Sequence, residues 1–330
     1  MLGRPLTVLG SMCVLAIGVL SVSVLAQSGG PKGTVKVDGS STVGPISMAA
    51  AEEFKKVAPG VEVSVGISGT GGGFKKFTIG ETDISDASRP IMREEAEKAR
   101  SSGIDYIELP VAFDGISIVT NPKNTWCKEL KLEEIKKIFA EGSTIKTWKD
   151  VRPEWPATPI KLYSPGTDSG TFDYFKEVVV GKGSVRSDMS VSEDDNVLVR
   201  GVEGDEGSLG FFGFAYYVEN KDRLHIVGVD AGKGAVIPSH ETIEKGTYAP
   251  FSRPLFIYIN AKAASRPAVK AFVSYYIENA AKLAEKCKYV KLPASLNERA
   301  AKNWKERKTG TQMMDDHGEK RSGPLEQTYN

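Results

Sequence analysis

IKLYSPGTDSGTFDYFKEVV, residues 160–179, decides how the rest of the chain is read. Its first five residues have the composition of a short buried strand, and Phe172, Phe175, Val178 and Val179 follow at helical spacing. Between strand and helix lies a turn rich in donors. Pro165 and Gly166 break the strand, Asp168 or Ser169 can cap the helix, and the first-turn N–H groups of Ser169, Gly170 and Thr171 lack intrahelical partners. A helix start of this kind suits an anion. One such turn would be an ordinary strand–turn–helix, but the chain contains three more.

The first is in VKVDGSSTVGPISMAAAEEFKKVAPG, where Gly39 to Thr42 separate a strand from a helix with Ile46, Ala49, Ala50, Phe54 and Val57 on one face. Pro45 near the helix start and Gly60 beyond its end agree with that reading. VEVSVGI then alternates as a strand into SGTGGGFKKF, whose Ser68 to Gly73 form another turn. In TDISDASRPIMREEAEKAR, Thr82 to Ala87 read as a strand, Ser88 to Pro90 as the turn and Glu94 to Arg100 as an exposed helix. Three successive βα units predict an α/β fold with ligands at the carboxyl edge of the sheet.

The chain has 330 residues, 40% apolar and 26% charged, with 43 basic against 42 acidic side chains. That length accommodates two domains, and near-zero net charge removes the electrostatic argument for nucleic acid or a membrane surface. Residues 1–26 read as a secretory signal peptide, with Arg4, an apolar run containing Cys13, and small residues before Gln27. A retained anchor is the alternative, since Leu6 to Leu25 nearly suffices to span a bilayer. Removal of the leader leaves Cys127 and Cys287, an even pair that predicts a disulfide in an oxidising compartment.

IDYIELPVAFDGISIVTNP reads as a long apolar strand crossing between two lobes, and PLFIYIN, Pro254 to Asn260, as the return. The expected division is residues 33–120 with 255–308 as lobe 1, 121–254 as lobe 2, and 309–330 as a polar, loosely ordered tail. Within lobe 2, LGFFGFAYY reads as aromatic core, because no basic residue interrupts Leu209 to Tyr217. Two helices should end the globular part, Pro267 to about Cys287 and Ser295 to about Arg307.

Ser40 to Thr42, Ser68 to Thr70, Ser88 to Arg89 and Ser169 to Thr171 together offer convergent hydroxyls and N–H groups for a tetrahedral oxyanion. Arg89 adds a planar fork, for which an ion pair with Glu94 or Glu95 is the alternative role. Phosphate keeps a proton at neutral pH and sulfate does not, so an acceptor carboxylate would discriminate between them. Asp86, Asp114 and Asp168 are the candidates, with turn formation or capping as the other reading of each. His225, His240 and His317 stand in no triad context, TDSGT lacks a GxSxG frame, no GxxxxGK exists, and SGTGGGF departs from GxGxxG at Phe74. The acidic run Glu193 to Asp195 lacks calcium-loop spacing and reads as a helix cap. No metal or cofactor is expected.

DGSSTVGPI, SGTGGGFKKF, DISDASRP and SPGTDSGTF, in this order behind a leader, resemble the periplasmic phosphate-binding protein of ABC phosphate transporters. The resemblance runs from about Lys36 to Lys308 and is specific as a set. It implies a type II periplasmic binding protein fold: two lobes, each a mixed sheet flanked by helices, closing over one dehydrated phosphate. The implied partners are inorganic phosphate and the membrane subunits of an ABC permease, the implied address is extracytoplasmic, and the implied state is a non-enzymatic monomer. The matching phosphate ligands are Ser41, Thr42, Ser68, Thr70, Ser88, Ser169, Gly170 and Thr171. Two departures stand out. The family's arginine a few residues before SGT is absent from YSPGTD, which makes Arg89 the natural substitute, and the family's acceptor aspartate aligns with Ser88. Another tetrahedral oxyanion, or a secreted phosphatase using Ser169 as nucleophile, are the competing readings.

Overall fold

A computed structural model of the chain describes Met1, Gly3 and residues 30–330, other than 168, 193, 316 and 322. Apart from Met1 and Gly3, the candidate leader with Cys13 lies outside the described residues, as do Asp168 and Glu193. Pro31–Asn330 form one compact unit.

The three βα units follow in the order β1 (Gly33–Gly39), α1 (Gly44–Val57), β2 (Val61–Ile67), α2 (Gly69–Phe77), β3 (Ile84–Ala87) and α3 (Arg93–Ser101). β1 pairs in parallel with both β2 and β3, so all three strands end at the same edge. Then β4 (Tyr106–Thr120) runs for fifteen residues, every one of them buried, as a nearly continuous apolar run covered on both faces demands.

Next come β5 (Glu129–Lys131), α4 (Leu132–Phe139), α5 (Trp148–Val151), β6 (Lys161–Pro165), α6 (Gly170–Val180) and β7 (Ser190–Ser192). They are followed by α7 (Asp195–Gly204), β8 (Ser208–Gly213), α8 (Phe214–Glu219), β9 (His225–Ile226), β10 (Gly228–Asp230), β11 (Ala235–Val236) and α9 (His240–Glu244). β12 (Ser252–Asn260) returns to the first three strands, and α10 (Pro267–Glu278), α11 (Ala280–Lys286), α12 (Ala294–Glu306) and α13 (Leu325–Thr328) complete the chain.

The main sheet has the order β2-β1-β3-β12-β4-β8-β6-β7, with β9 also on β4, and β11-β10-β5 form a small second sheet. β4 joins its two halves, pairing antiparallel with β12 over Tyr106–Gly115 and with β8 over Ile116–Thr120. The LGFFGFAYY aromatics are core: Phe211 stacks on Phe175 of α6 at 3.6 Å between ring centroids, and Phe139 of α4 meets both edge-on.

Three expectations change. The helix foreseen from Pro267 to Cys287 breaks at Asn279, which leaves helical geometry and donates its side-chain amide back to the Tyr275 carbonyl. The described residues of 309–330 are not loose: Met313, Leu325 and Tyr329 are buried, and the buried carboxylate of Glu108 accepts from Thr311 Oγ1, Gln312 N–H (2.9 Å) and Tyr258. The Tyr329 hydroxyl donates to the Glu108 carbonyl at 2.9 Å. A polar segment is thus fixed by one acidic side chain that could not be buried without it. Finally, Cys127 and Cys287 are both free thiols and form no disulfide. Cys127 is buried beside Asn124 ahead of β5, whereas Cys287 ends α11 and reaches the Pro45 carbonyl of α1, so the two have different immediate partners.

Candidate functional site

β1, β2, β3 and β6 end directly before the four donor-rich turns. At the first, Gly39 has φ +148°, and a Cβ there would lie 2.2 Å from the Asp86 carbonyl oxygen, so only glycine fits. That carbonyl accepts from Ser40 N–H at 2.9 Å. The Ser40 hydroxyl in turn accepts from Thr42 N–H at 3.1 Å and Val43 N–H at 3.4 Å, shaping the start of α1.

The fourth turn is set by Ser169, the N-cap of α6, whose hydroxyl accepts from Thr171 N–H at 3.2 Å. First and fourth turns touch. Thr42 Oγ1 donates to the Gly170 carbonyl at 3.3 Å, and Ser41 Oγ donates to Asp173 at 3.3 Å. A Cβ at Gly170 would lie 2.6 Å from Thr42 Oγ1 and 2.8 Å from its backbone N and Cα. Glycine is therefore what lets two helix starts meet.

The second and third turns form their own pair. Thr70 Oγ1 accepts from Ser88 N–H at 3.2 Å and lies 3.1 Å from its hydroxyl, while Ser68 donates to Asp38, which also binds Lys76 at 2.6 Å. Arg89 forms a fork on Glu95, with contacts of 2.9 and 2.8 Å, donates to the Pro90 carbonyl and lies over the Phe74 ring. The ion pair offered as its alternative role is present.

The cation that reaches the first turn is Arg253, at the start of β12, and the sequence reading did not single it out. Its Nη2 donates to Thr42 Oγ1 at 3.1 Å, its Nε lies 3.6 Å from Asp114, and its Nη1 lies 3.5 Å from Glu177. The guanidinium stacks 3.5 Å above the Tyr174 ring. Tyr174 is held by a 2.6 Å bond from its hydroxyl to the Pro250 carbonyl. That bond explains why Tyr174 is buried on α6 while Phe172 and Val178, placed inward by periodicity, are only partly buried. The available sequence signal was an arginine just before proline at the head of an apolar crossover strand.

The acceptor candidates have different neighbours. Asp86 is fully buried and accepts from Ser47 Oγ at 2.9 Å, with the Tyr276 hydroxyl 3.1 Å beyond that serine, and its Oδ2 has no hydrogen-bond partner among the described residues. Burial pushes its carboxyl up to about 8; the Ser47 hydrogen bond opposes this and the neighbouring charge of Asp38 adds to it. Asp114 lies on β4 beside Arg253. Burial raises its carboxyl too, against the Arg253 charge, and its Oδ2 has no hydrogen-bond partner among the described residues. Asp168 lies outside the described residues.

A cavity of about 1060 Å³ adjoins this cluster, reached by Ser88, Arg89, Tyr174 and Arg253. The arrangement suits binding of an oxyanion, because two helix starts, hydroxyls and a largely buried guanidinium lie together. No group of three His, Cys, Asp or Glu suited to a metal occurs among the described residues. His240 packs on Phe214, and His225 lies in β9.

Residues 26–280 match the family model of a PBP superfamily domain. Protein SphX of Synechocystis sp. is 50% identical over 86% of this chain and 84% of its own length. The phosphate-binding protein PstS of Staphylococcus saprophyticus is 44% identical over 84% of this chain and 86% of its own. Among solved structures, a possible phosphate-binding protein from Planctomyces limnophilus superposes with a TM-score of 0.81 at 46% identity, covering 84% of this chain and 99% of the other.

Proposed function

Because the chain belongs to the PstS family of phosphate-binding proteins within the PBP superfamily, we propose that it captures inorganic phosphate in the cleft at Thr42, Gly170 and Arg253. It is a binding protein rather than an enzyme, with the type II periplasmic binding protein fold. Delivery of phosphate to an ABC permease, export led by residues 1–26, and a monomeric state complete the reading. Residues 33–120 with 255–308 act as one lobe and 121–254 as the other, with β4 and β12 as the crossings.

Phosphate is held by Ser41, Thr42, Ser169, the Gly170 N–H and the Thr171 hydroxyl, and Arg253 supplies the charge. Thr70 and Ser88 supply further hydroxyls. Ser68 and Arg89 support these turns, being engaged by Asp38 and Glu95. Asp114 accepts a hydrogen bond from the O–H that phosphate retains and sulfate lacks. The observation that carries the reading is Thr42 Oγ1, which contacts the fourth turn and Arg253 at once.

Isothermal titration with phosphate, arsenate and sulfate tests it, the expectation being tight binding of the first two and weak binding of sulfate. Heat with sulfate and none with phosphate would overturn it. The Asp114→Asn variant should weaken phosphate at least tenfold and narrow its margin over sulfate, since an amide N–H no longer repels the fully ionised anion.

A further inference from the structure

Ser88 opens a loop that reaches Met92, between β3 and α3, and side chains hold that loop in place. Ser88 N–H donates to Thr70 Oγ1 at 3.2 Å, Ile91 N–H to the Tyr258 hydroxyl at 2.9 Å, and Met92 N–H to Glu95 at 2.8 Å. Pro90 has no N–H to offer, so Ile91 is the anchor in the middle. That anchor leads into the sheet. Tyr258 stands on β12 directly opposite Glu108 of β4, both are buried, and the Tyr258 hydroxyl donates to Glu108 Oε2 at 2.8 Å. The same oxygen accepts from Thr311 Oγ1, and Glu108 Oε1 accepts from Gln312 N–H at 2.9 Å. A chain of hydrogen bonds thus runs from the C-terminal segment, through one carboxylate and one phenol, to the loop that carries Ser88. The phenol is well fixed. Phe74 and Tyr106 meet its ring edge-on at 4.9 and 5.8 Å, and the carboxylate takes its hydrogen, which leaves a lone pair for Ile91.

We propose that Tyr258 and Glu108 are positioning residues for phosphate: they set the loop that presents Ser88 to the anion, and Thr311 and Gln312 set Glu108. The inference rests on the reading of Ser88 as a phosphate ligand. Both side chains are buried, so their effect on affinity passes through the loop. A donor displaced by more than about 0.5 Å loses its alignment with an oxyanion.

Phosphate titration of the full chain through a double-variant cycle tests the proposal. Ser88→Ala should weaken phosphate about tenfold and Tyr258→Phe about fivefold. In the Ser88→Ala background, Tyr258→Phe should change affinity by less than about twofold, because the residue it acts through is gone. Thr311→Val should weaken binding as Tyr258→Phe does, and Thr311→Ser, which keeps the hydroxyl, should restore it. Tyr329→Phe is the control, since its hydroxyl donates to the Glu108 carbonyl and not to the carboxylate. It should lower the ligand-free melting temperature and leave phosphate affinity within about twofold. Full additivity of Ser88→Ala and Tyr258→Phe overturns the inference. So does an equal loss of affinity in Tyr329→Phe, which would make the effect one of general stability. A loss in Ser88→Ala with none in Tyr258→Phe overturns this inference alone and leaves Ser88 a ligand. Ser88→Ala without effect removes Ser88 from the phosphate ligands, and the inference falls with that assignment.

Discussion

Arg253 and Arg89 make the sharpest contrast between two side chains of one type. Arg253 is 11% exposed, contacts Thr42 across the cleft and is held among Asp114, Glu177 and Tyr174, whereas the Arg89 fork is already filled by Glu95. Loss of a charge-assisted hydrogen bond of roughly 1.5–3 kcal/mol corresponds to about 10–150-fold in affinity. Titration of Arg253→Ala should show at least that loss for phosphate, and Arg89→Ala a change of about threefold or less. Equal losses would return Arg89 to the anion. Asp86 makes a separate prediction. Its carboxyl is raised to about 8 by burial, so the folded state holds a proton that the unfolded chain releases near pH 4. Stability from this group is full below about pH 4 and is lost as pH rises to about 8. The Asp86→Asn variant keeps an oxygen for Ser47 and has nothing to ionise, so urea unfolding of this variant should fall less between pH 5 and pH 8 than that of the natural protein. The hydroxyls of the four turns were legible because each follows a strand and opens a helix. Arg253 was not, since its partner Thr42 lies 211 residues away and an arginine before proline does not by itself point to that partner.

At the scale of elements, the strand ends and helix starts were readable from periodicity, and β4 from its unbroken apolar run. What sequence did not reveal is decided by distant partners. The segment after Lys308 is polar, yet Thr311 and Gln312 are fixed because Glu108 inside the sheet needs their donors, and the long helix breaks at Asn279 because an amide can satisfy a carbonyl locally. The free thiols show the same limit: an even count of cysteines says nothing about whether two of them share a packing environment. The start of α6 is the element most open to test. At Gly170 a methyl group would press on the backbone as well as the hydroxyl of Thr42, so the two helix starts must separate by a few tenths of an ångström or more. Gly170→Ala should therefore weaken phosphate binding about tenfold or more while moving the ligand-free melting temperature by only about 2 °C, because the clash exists only where the turns meet. A large fall in ligand-free stability with unchanged affinity would show that the contact belongs to folding and not to binding.

For the molecule as a whole, the proposed phosphate site couples binding to closure. The helix starts of α1 and α6 stand on opposite halves of the main sheet, joined by the β4 and β12 pairing, and their contact runs through Thr42, Gly170 and Arg253. An anion between them is drawn to both helix starts and to the guanidinium, so it favours the state in which the halves approach, by its differential affinity for that state. Two measurements then have to move together. At a hundredfold excess of phosphate over Kd, unfolding should become harder by about 2.7 kcal/mol, as binding to the folded state alone requires. Small-angle scattering at the same concentration should give a smaller radius of gyration than without phosphate. Arg253→Ala, measured at that fixed concentration, should lose most of both effects, because the residue that links the first turn to the crossover strand is gone. Stabilisation with an unchanged radius would mean that phosphate binds to halves already in contact, and the coupling argued from Thr42 and Gly170 would be wrong.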